Sequence, residues 1–356
     1  MDITVNNIHI SKTENSRLPS VDFNNLPFGK IFSDHMFEMD YKDGKWQTPT
    51  IVPFRNLELH PATSALHYGQ AIFEGMKAQR GENGEVLIFR PEMNARRFNE
   101  SAKRMCMAEV PEAMFLEALK TLIDLDRDWV PSLEGQSLYI RPFMIATDDY
   151  VGIRPSEKYK FLIITSPVGA YYSDPVKVKI EKYYTRAAEG GVGKAKAAGN
   201  YAASLYPAKL AQEEGFRQLI WTDAKTHEYI EEAGTMNVVF VIDGVIVTPD
   251  ENKDTILEGV TKRSVLEIAA DWGYKIEERP VRVDEVIAAI NNGTLQDAFG
   301  AGTAATIAPI SHIGHEGTTY ELPPVDSREF SNKMKDYITE YKTGKVEDKF
   351  NWLMRL

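Results

Sequence analysis

Gly191-Val-Gly-Lys-Ala-Lys-Ala-Ala-Gly-Asn-Tyr201 sets two lysines, Lys194 and Lys196, among glycine and alanine, with a tyrosine five positions beyond the second. A solvated lysine favours charged or polar neighbours. One that condenses with an aldehyde must give up its proton, which burial among small residues encourages. Taken alone, the segment fits equally a glycine-rich loop carrying two surface lysines. Its Gly190-Gly-Val-Gly-Lys194 start is not a phosphate-binding P-loop. That motif needs glycine five positions before the Gly-Lys pair and Ser or Thr after it, where this chain has Ala188 and Ala195.

The stretch Ser166-Pro-Val-Gly-Ala-Tyr-Tyr-Ser-Asp-Pro175, upstream of the lysines, gathers turn-forming residues between two sheet-like regions and reads as a link between domains. A length of 356 residues calls for two domains, each with its own core. The expected division is 1–165, the link 166–175, and 176–356 carrying the lysine run. A hydrophobic fraction of 43% with 26% charged residues is ordinary globular material. The net charge of -11 argues against a sequence-independent grip on nucleic acid or an anionic membrane, and so for small-molecule partners. The single cysteine, Cys106, excludes an internal disulfide and reads as core packing. Seven scattered histidines offer no metal-ligand spacing, so no metal is expected. With no run near the roughly twenty apolar residues of a membrane span, and no signal or transit pattern at Met1 to Asn7, a cytoplasmic location is the expectation.

Periodicity gives an α+β chain. Met36 to Ile51 reads as a strand, a Lys42-Asp-Gly44 turn and a return strand. Helices are expected over Asn94 to Met107, Pro111 to Leu125, Pro207 to Glu214 and Ser264 to Trp272, with shorter ones near Asp284 to Asn291 and Arg328 to Lys342. Strands are expected at Gln136 to Ile145, Lys158 to Thr165, Lys177 to Lys182, Gln218 to Asp223 and Met236 to Thr248, the last broken by an Asp243-Gly244 hairpin turn. Alternation in the first of these puts Ser137, Tyr139 and Arg141 on one face, a candidate ligand wall.

Several short motifs carry chemistry, each with a plainer reading beside it. Gly259-Val-Thr leads into a helix, so the amides of Val260 and Thr261 can face an anion, or simply begin a capped helix. Gly300-Ala-Gly-Thr-Ala-Ala305 is a second small-residue turn, with Thr303 at its centre. Arg97 lies among Arg96 and Arg104, where a charged helix face is the default account. Glu231-Glu-Ala-Gly-Thr-Met-Asn237 places a carboxylate before a Gly-Thr turn. Buried, it needs a cationic or N–H partner; exposed, it is a turn with two glutamates, which suits Glu231. His67 to Lys77 reads as core packing beside a turn.

Together with Phe89-Arg-Pro and Ser137-Leu-Tyr-Ile-Arg-Pro142, these segments, from about Phe54 through Pro309, resemble the branched-chain-amino-acid aminotransferases, fold type IV pyridoxal-phosphate enzymes. The resemblance implies a two-domain α+β fold, like that of D-amino-acid aminotransferase, and a homodimer. It places Lys196 at the Schiff-base position, Tyr201 at the cofactor's phenolic oxygen and Glu232 at the pyridine nitrogen. Arg97, Val260, Thr261 and Thr303 fall at its phosphate contacts. Tyr68, Phe73, Tyr139, Thr235, Ala304 and Ala305 fall in the substrate pocket, Tyr171 on a mobile interdomain loop, and Arg141 where glutamate's distal carboxylate is admitted. Val151 and Ile153 match positions reaching the neighbouring subunit's site. The implied activity is reversible amino transfer from L-leucine, L-isoleucine or L-valine to 2-oxoglutarate. The alternatives are a D-amino-acid aminotransferase or aminodeoxychorismate lyase of the same fold, or a non-catalytic pyridoxal-phosphate carrier. Ala305 and Ala308 stand where the mammalian enzymes have a Cys-x-x-Cys pair, so that thiol chemistry is absent.

Overall fold

Two sheets organise the computed structural model, which describes residues 2–5, 7–169 and 174–356. Each belongs to one compact unit. The first unit comprises the chain through 171 with Ala195–Gly199 and Glu340–Leu356; the second comprises 172–194 with Asn200–Thr339.

In the first unit an eleven-stranded sheet is centred on two long strands, Ser137–Ala146 and Tyr159–Val168, paired antiparallel along their whole length. His35–Lys42 and Thr50–Pro53 extend the sheet on one side; Met76–Arg80 and Val86–Phe89 extend it on the other. The expected Asp43-Gly44 turn is present, both residues taking the positive φ such a turn requires. Helices Pro91–Arg104 and Glu112–Leu125 accompany this sheet; Phe98, Phe115 and Phe161 pack ring against ring in the core, with centroids 5.3 to 5.6 Å apart.

The first helix begins three residues earlier than its periodicity suggests, because Pro91 occupies its first turn, where a missing N–H costs nothing. It also stops earlier, because Cys106 adopts a left-handed φ of 51° and Met107 bonds back to Ala102. Cys106 is therefore exposed at a turn and is not part of the core, which corrects the reading of a lone cysteine as packing.

The second unit carries a ten-stranded mixed sheet. Val176–Ile180 lies parallel between Gln218–Thr222 and Thr306–His315, and Met236–Ile242 pairs with Val245–Thr248 through the expected Asp243-Gly244 turn. Helix Val260–Asp271 starts four residues before the expected Ser264. Helix Ala198–Glu213 is much longer than the expected Pro207 to Glu214 and contains Pro207. Gly199, Asn200 and Pro207 conceal it from any propensity count, since all three disfavour helix interiors.

Two segments group otherwise than a division at 166–175 puts them. Ala195–Gly199 joins the first unit, as do residues 340–356, because Leu353–Arg355 pairs antiparallel with Val86–Phe89 and Trp352 packs edge-on against Phe89 at 5.5 Å. The C-terminal segment also buries Lys342, whose Nζ lies 5.2 Å from the Phe89 ring centroid.

Burial lowers Lys342 to about 7, with the Lys77 charge acting in the same direction, and burial lowers Lys77 to about 8. The unfolded chain thus binds more protons than the fold between those values and the ordinary lysine range, so this cost to stability fades as pH rises. Lys342→Met is expected to raise the thermal midpoint at pH 7, and the gain should shrink by pH 10. Calorimetry across that range checks it; a gain that does not vary with pH is the contrary outcome.

Candidate active site

Lys196 lies in a short strand-like excursion pinned to the first unit. Its N–H donates to Ser101 Oγ at 2.9 Å, its carbonyl accepts the Phe73 N–H at 3.1 Å, and the next residue, Ala197, forms a bridge to Ile72. Ala195 and Ala197 are buried and Lys196 is half-buried, so the small residues around it serve as packing that brings backbone close to backbone. Nζ stands 5.0 Å from the Phe73 ring centroid. The same ring lies 4.7 Å from the Arg141 guanidinium, which donates to the Tyr139 hydroxyl at 2.9 Å. Tyr139 and Arg141 thus share a strand face, as alternation required, and Arg141 Nε is buried with no hydrogen-bond partner among the described residues. Gly75 admits this arrangement: a Cβ there would collide with the Tyr139 phenol oxygen.

Beneath this wall lies a residue that the sequence reading passed over. Glu74 is wholly buried and accepts a two-pronged contact from Arg97, Nε to Oε1 and Nη2 to Oε2, both 2.8 Å. Asn94 Nδ2 donates to the same Oε2 at 2.8 Å. Asn94 and Arg97 stand three apart on one helical face, so that spacing, beside Phe73-Glu-Gly75, is the signal that could have flagged the cluster. Arg97 is buried, whereas its neighbours Arg96 and Arg104 are exposed, and the plain account of a charged helix face fails for it alone. Burial by itself would raise the Glu74 carboxyl. The Arg97 charge and hydrogen bonds, the Lys196 charge and Asn94 outweigh it and hold that carboxyl below the usual carboxylate range.

The second unit holds the other candidates. Glu232 is buried in the strand Tyr229–Ala233; its Oε1 accepts the Leu257 N–H at 2.8 Å and its Oε2 lies 3.0 Å from Arg186 Nε. The cationic and N–H partners that a buried carboxylate demands are both present. Glu231 is buried too, contrary to its reading as half of an exposed turn, with Thr255, Arg186 and Asp223 around its carboxyl. Gly234 takes a φ of 60° in the two-residue turn that leads to Met236, leaving Thr235 exposed at the tip.

Val260 and Thr261 are the first two residues of their helix, with Gly259 as the cap. Helix N-terminal amides have no carbonyl one turn earlier to bond and carry the positive end of the dipole. Gly259 is required there: a Cβ would overlap the Asn237 side chain, which donates to the Leu257 carbonyl at 2.9 Å. Thr303, Ala304 and Ala305 form the turn between Leu295–Gly302 and Thr306–His315. Tyr201 lies in the first turn of the helix that begins at Ala198. In the first unit, Tyr68 ends a short helix at 42% exposure, and Val151 and Ile153 stand out at 62% and 92%. Tyr171 lies outside the described residues.

The profile described as amino-transferase class IV matches residues 71–313. The chain is 45% identical over 354 residues to branched-chain-amino-acid aminotransferase 2 of Bacillus subtilis, covering 98% of this chain and 97% of that protein. It is 46% identical over 336 residues to a probable branched-chain-amino-acid aminotransferase of Staphylococcus epidermidis, covering 93% of each. Among solved structures, the branched-chain aminotransferase of Escherichia coli matches with a TM-score of 0.71 at 25% identity, over 88% of this chain and 98% of that one. A second branched-chain amino acid aminotransferase, solved with pyridoxamine 5'-phosphate, matches with a TM-score of 0.71 at 26% identity, over 89% and 97%. The chain belongs to the class IV aminotransferases.

The Glu74 cluster sets a stability test. Glu74→Ala leaves a buried guanidinium without its carboxylate and should cost about 3–5 kcal/mol in urea unfolding at pH 7. Because the folded carboxyl titrates below its unfolded value, the stability it contributes is present above the ordinary carboxylate range and is lost as pH falls through the lowered value. The deficit of Glu74→Gln relative to the wild type should therefore narrow in acid; a constant deficit counts against the ion pair.

Proposed function

We propose that this chain is a branched-chain-amino-acid aminotransferase dependent on pyridoxal 5'-phosphate, moving the amino group of L-leucine, L-isoleucine or L-valine reversibly to 2-oxoglutarate. Products are the branched-chain 2-oxo acids and L-glutamate. The observation that carries the reading is Lys196 Nζ against Phe73, in one wall with Tyr139 and Arg141. Near-full-length identity to curated branched-chain enzymes supports it.

The residues present fit the cofactor. An aldehyde needs a primary amine, a phosphate dianion needs dense N–H and hydroxyl donors, and a protonated ring nitrogen needs a paired carboxylate. Lys196 supplies the first and Arg97, Val260, Thr261 and Thr303 the second. Glu232 supplies the third, with Tyr201 donating to the phenolic oxygen. The ion pair with Glu74 fixes the plane of the Arg97 guanidinium. When bound, pyridoxal phosphate supplies the electron sink that makes the substrate Cα–H acidic. Lys196 Nζ would take that proton and deliver it two bonds away, on the far side of the amino nitrogen, acting as both base and acid. Phe73 and Tyr139, with Tyr68, Thr235, Ala304 and Ala305, select an aliphatic side chain by burying it, at about 25 cal/mol per Å² of apolar surface. Arg141, whose Nε has no hydrogen-bond partner among the described residues, accepts the distal carboxylate of glutamate in the same space.

Val151 and Ile153 serve the site of a second copy in a homodimer, which explains why an isoleucine stands 92% exposed. The partners are small amino and 2-oxo acids, and the setting is cytoplasmic; no helix among the described residues is long and apolar enough to cross a membrane.

Lys196→Ala should lose at least about 10³-fold in turnover with L-leucine and 2-oxoglutarate, measured as glutamate formed, as expected for loss of both covalent attachment and acid–base catalysis. Activity within a few fold of wild type overturns the assignment. D-alanine and aminodeoxychorismate, tested alongside, should give no turnover. For the assembly, light scattering should give a dimer mass, and Val151→Asp with Ile153→Asp should lower it; a monomeric wild type counts against the pairing.

A further inference from the structure

Glu232 has a buried cation at its back that no role above accounts for. Arg186 exposes only 9% of its side chain, and its guanidinium is anchored on three sides. Nη2 donates to the Thr255 carbonyl at 2.6 Å and to the Gly193 carbonyl at 3.3 Å, while Nε lies 3.0 Å from Glu232 Oε2. The approach is close because position 193 is glycine: a Cβ there would meet Thr255 O and Ala187 Cβ, each at 2.5 Å. With Oε1 of Glu232 accepting the Leu257 N–H, Oε2 faces Arg186 Nε in an ion-pair contact in which that Nε makes no hydrogen bond among the described residues.

A second carboxyl competes for the same cation. Glu231 is 5% exposed, and its Oε2 has no hydrogen-bond partner among the described residues. Burial raises the Glu231 carboxyl, with the charges of Glu232 and Asp223 acting the same way, against Thr255 and Arg186. The guanidinium's close contact is with Glu232, at 3.0 Å, while burial raises the Glu231 carboxyl.

We propose that Arg186 is a positioning residue for the transamination: it holds Glu232 charged and in a single orientation toward the cofactor's ring nitrogen, while tying down the Gly193 and Thr255 backbone. The proposal rests on the reading of Glu232 given above. A guanidinium at 3.0 Å favours the charged carboxylate, so a proton lying between carboxylate and ring nitrogen resides on nitrogen, where electron withdrawal requires it. Lysine cannot reproduce the contact, because an ammonium offers no planar fork to reach two carbonyls and a carboxylate together.

The test uses holoenzyme of wild type, Arg186→Lys, Arg186→Leu, Glu232→Gln and the Glu232→Gln/Arg186→Leu double variant. Readouts are leucine kcat and KM, pyridoxal-phosphate affinity by absorbance titration, and the thermal midpoint. The expected result is a loss in kcat of about 10–100-fold for Arg186→Leu, the range typical for partners that orient a cofactor ligand, with KM for leucine changed little and cofactor affinity reduced. Arg186→Lys should recover part of it at an unchanged midpoint. The double variant should be no worse than Glu232→Gln, since both changes remove one interaction. Arg186→Lys and Arg186→Leu with wild-type kcat and cofactor affinity, or an additive double variant, overturn the proposal while Glu232→Gln remains impaired. If Arg186→Leu fails to fold, Arg186→Lys decides: wild-type kcat and cofactor affinity overturn the proposal. Wild-type behaviour of Glu232→Gln instead overturns the reading of Glu232 itself.

Discussion

A fully buried carboxylate, Glu74, is the constraint on which the surroundings of Lys196 in the first unit depend. Its charge is tolerable only because Arg97 meets it edge to edge and Asn94 adds a third hydrogen bond. That requirement fixes the rotamer of Arg97 and the placement of the helix Pro91–Arg104 against the Phe73-Glu74-Gly75 turn. Ser101, one helical turn beyond Arg97, then receives the Lys196 N–H, and Phe73, the residue before Glu74, donates to the Lys196 carbonyl. The lysine is thereby held through neighbours of the ion pair, and backbone hydrogen bonds give its side chain a fixed origin.

The second unit repeats the device with a different cation. Glu232 meets a guanidinium at one oxygen and a backbone N–H at the other, so each unit contains a buried Glu–Arg contact next to a candidate site residue. Such pairs contribute little net stability when their desolvation is counted, and their value lies in orientation. An aminotransferase has reason to accept that trade, since its chemistry depends on groups that must not move relative to a flat aromatic ring.

The proposed substrate selection draws on simpler physics. Phe73 and Tyr139 form an aromatic wall, and Arg141 sits against both rings with an Nε that has no hydrogen-bond partner among the described residues. Under the proposed function such a wall receives a branched hydrocarbon and a glutamate carboxylate in turn, as reversible exchange between the two demands.

Much of this was legible in the chain itself. Period-two alternation placed Tyr139 and Arg141 on one face, because a pleated strand leaves no other choice, and the Asp43-Gly44 and Asp243-Gly244 turns follow from the positive φ that such hairpins require. The order of short motifs pointed to the family. The long helix from Ala198 was hidden, since Gly199, Asn200 and Pro207 each disfavour a helix and only packing overrides them. Cys106 and Glu231 were misjudged because burial is a property of the neighbours a residue acquires, which periodicity does not encode. Arg186 went unseen because nothing in local sequence announces an ion pair between residues 46 positions apart, and Glu74 because the Asn94 and Arg97 spacing does not by itself name a partner 23 positions away. The sequence alone determined which chemical groups are available and which strand faces they occupy, because backbone geometry repeats locally. The tertiary structure alone decided which charges meet, because desolvated partners are chosen by distance in space.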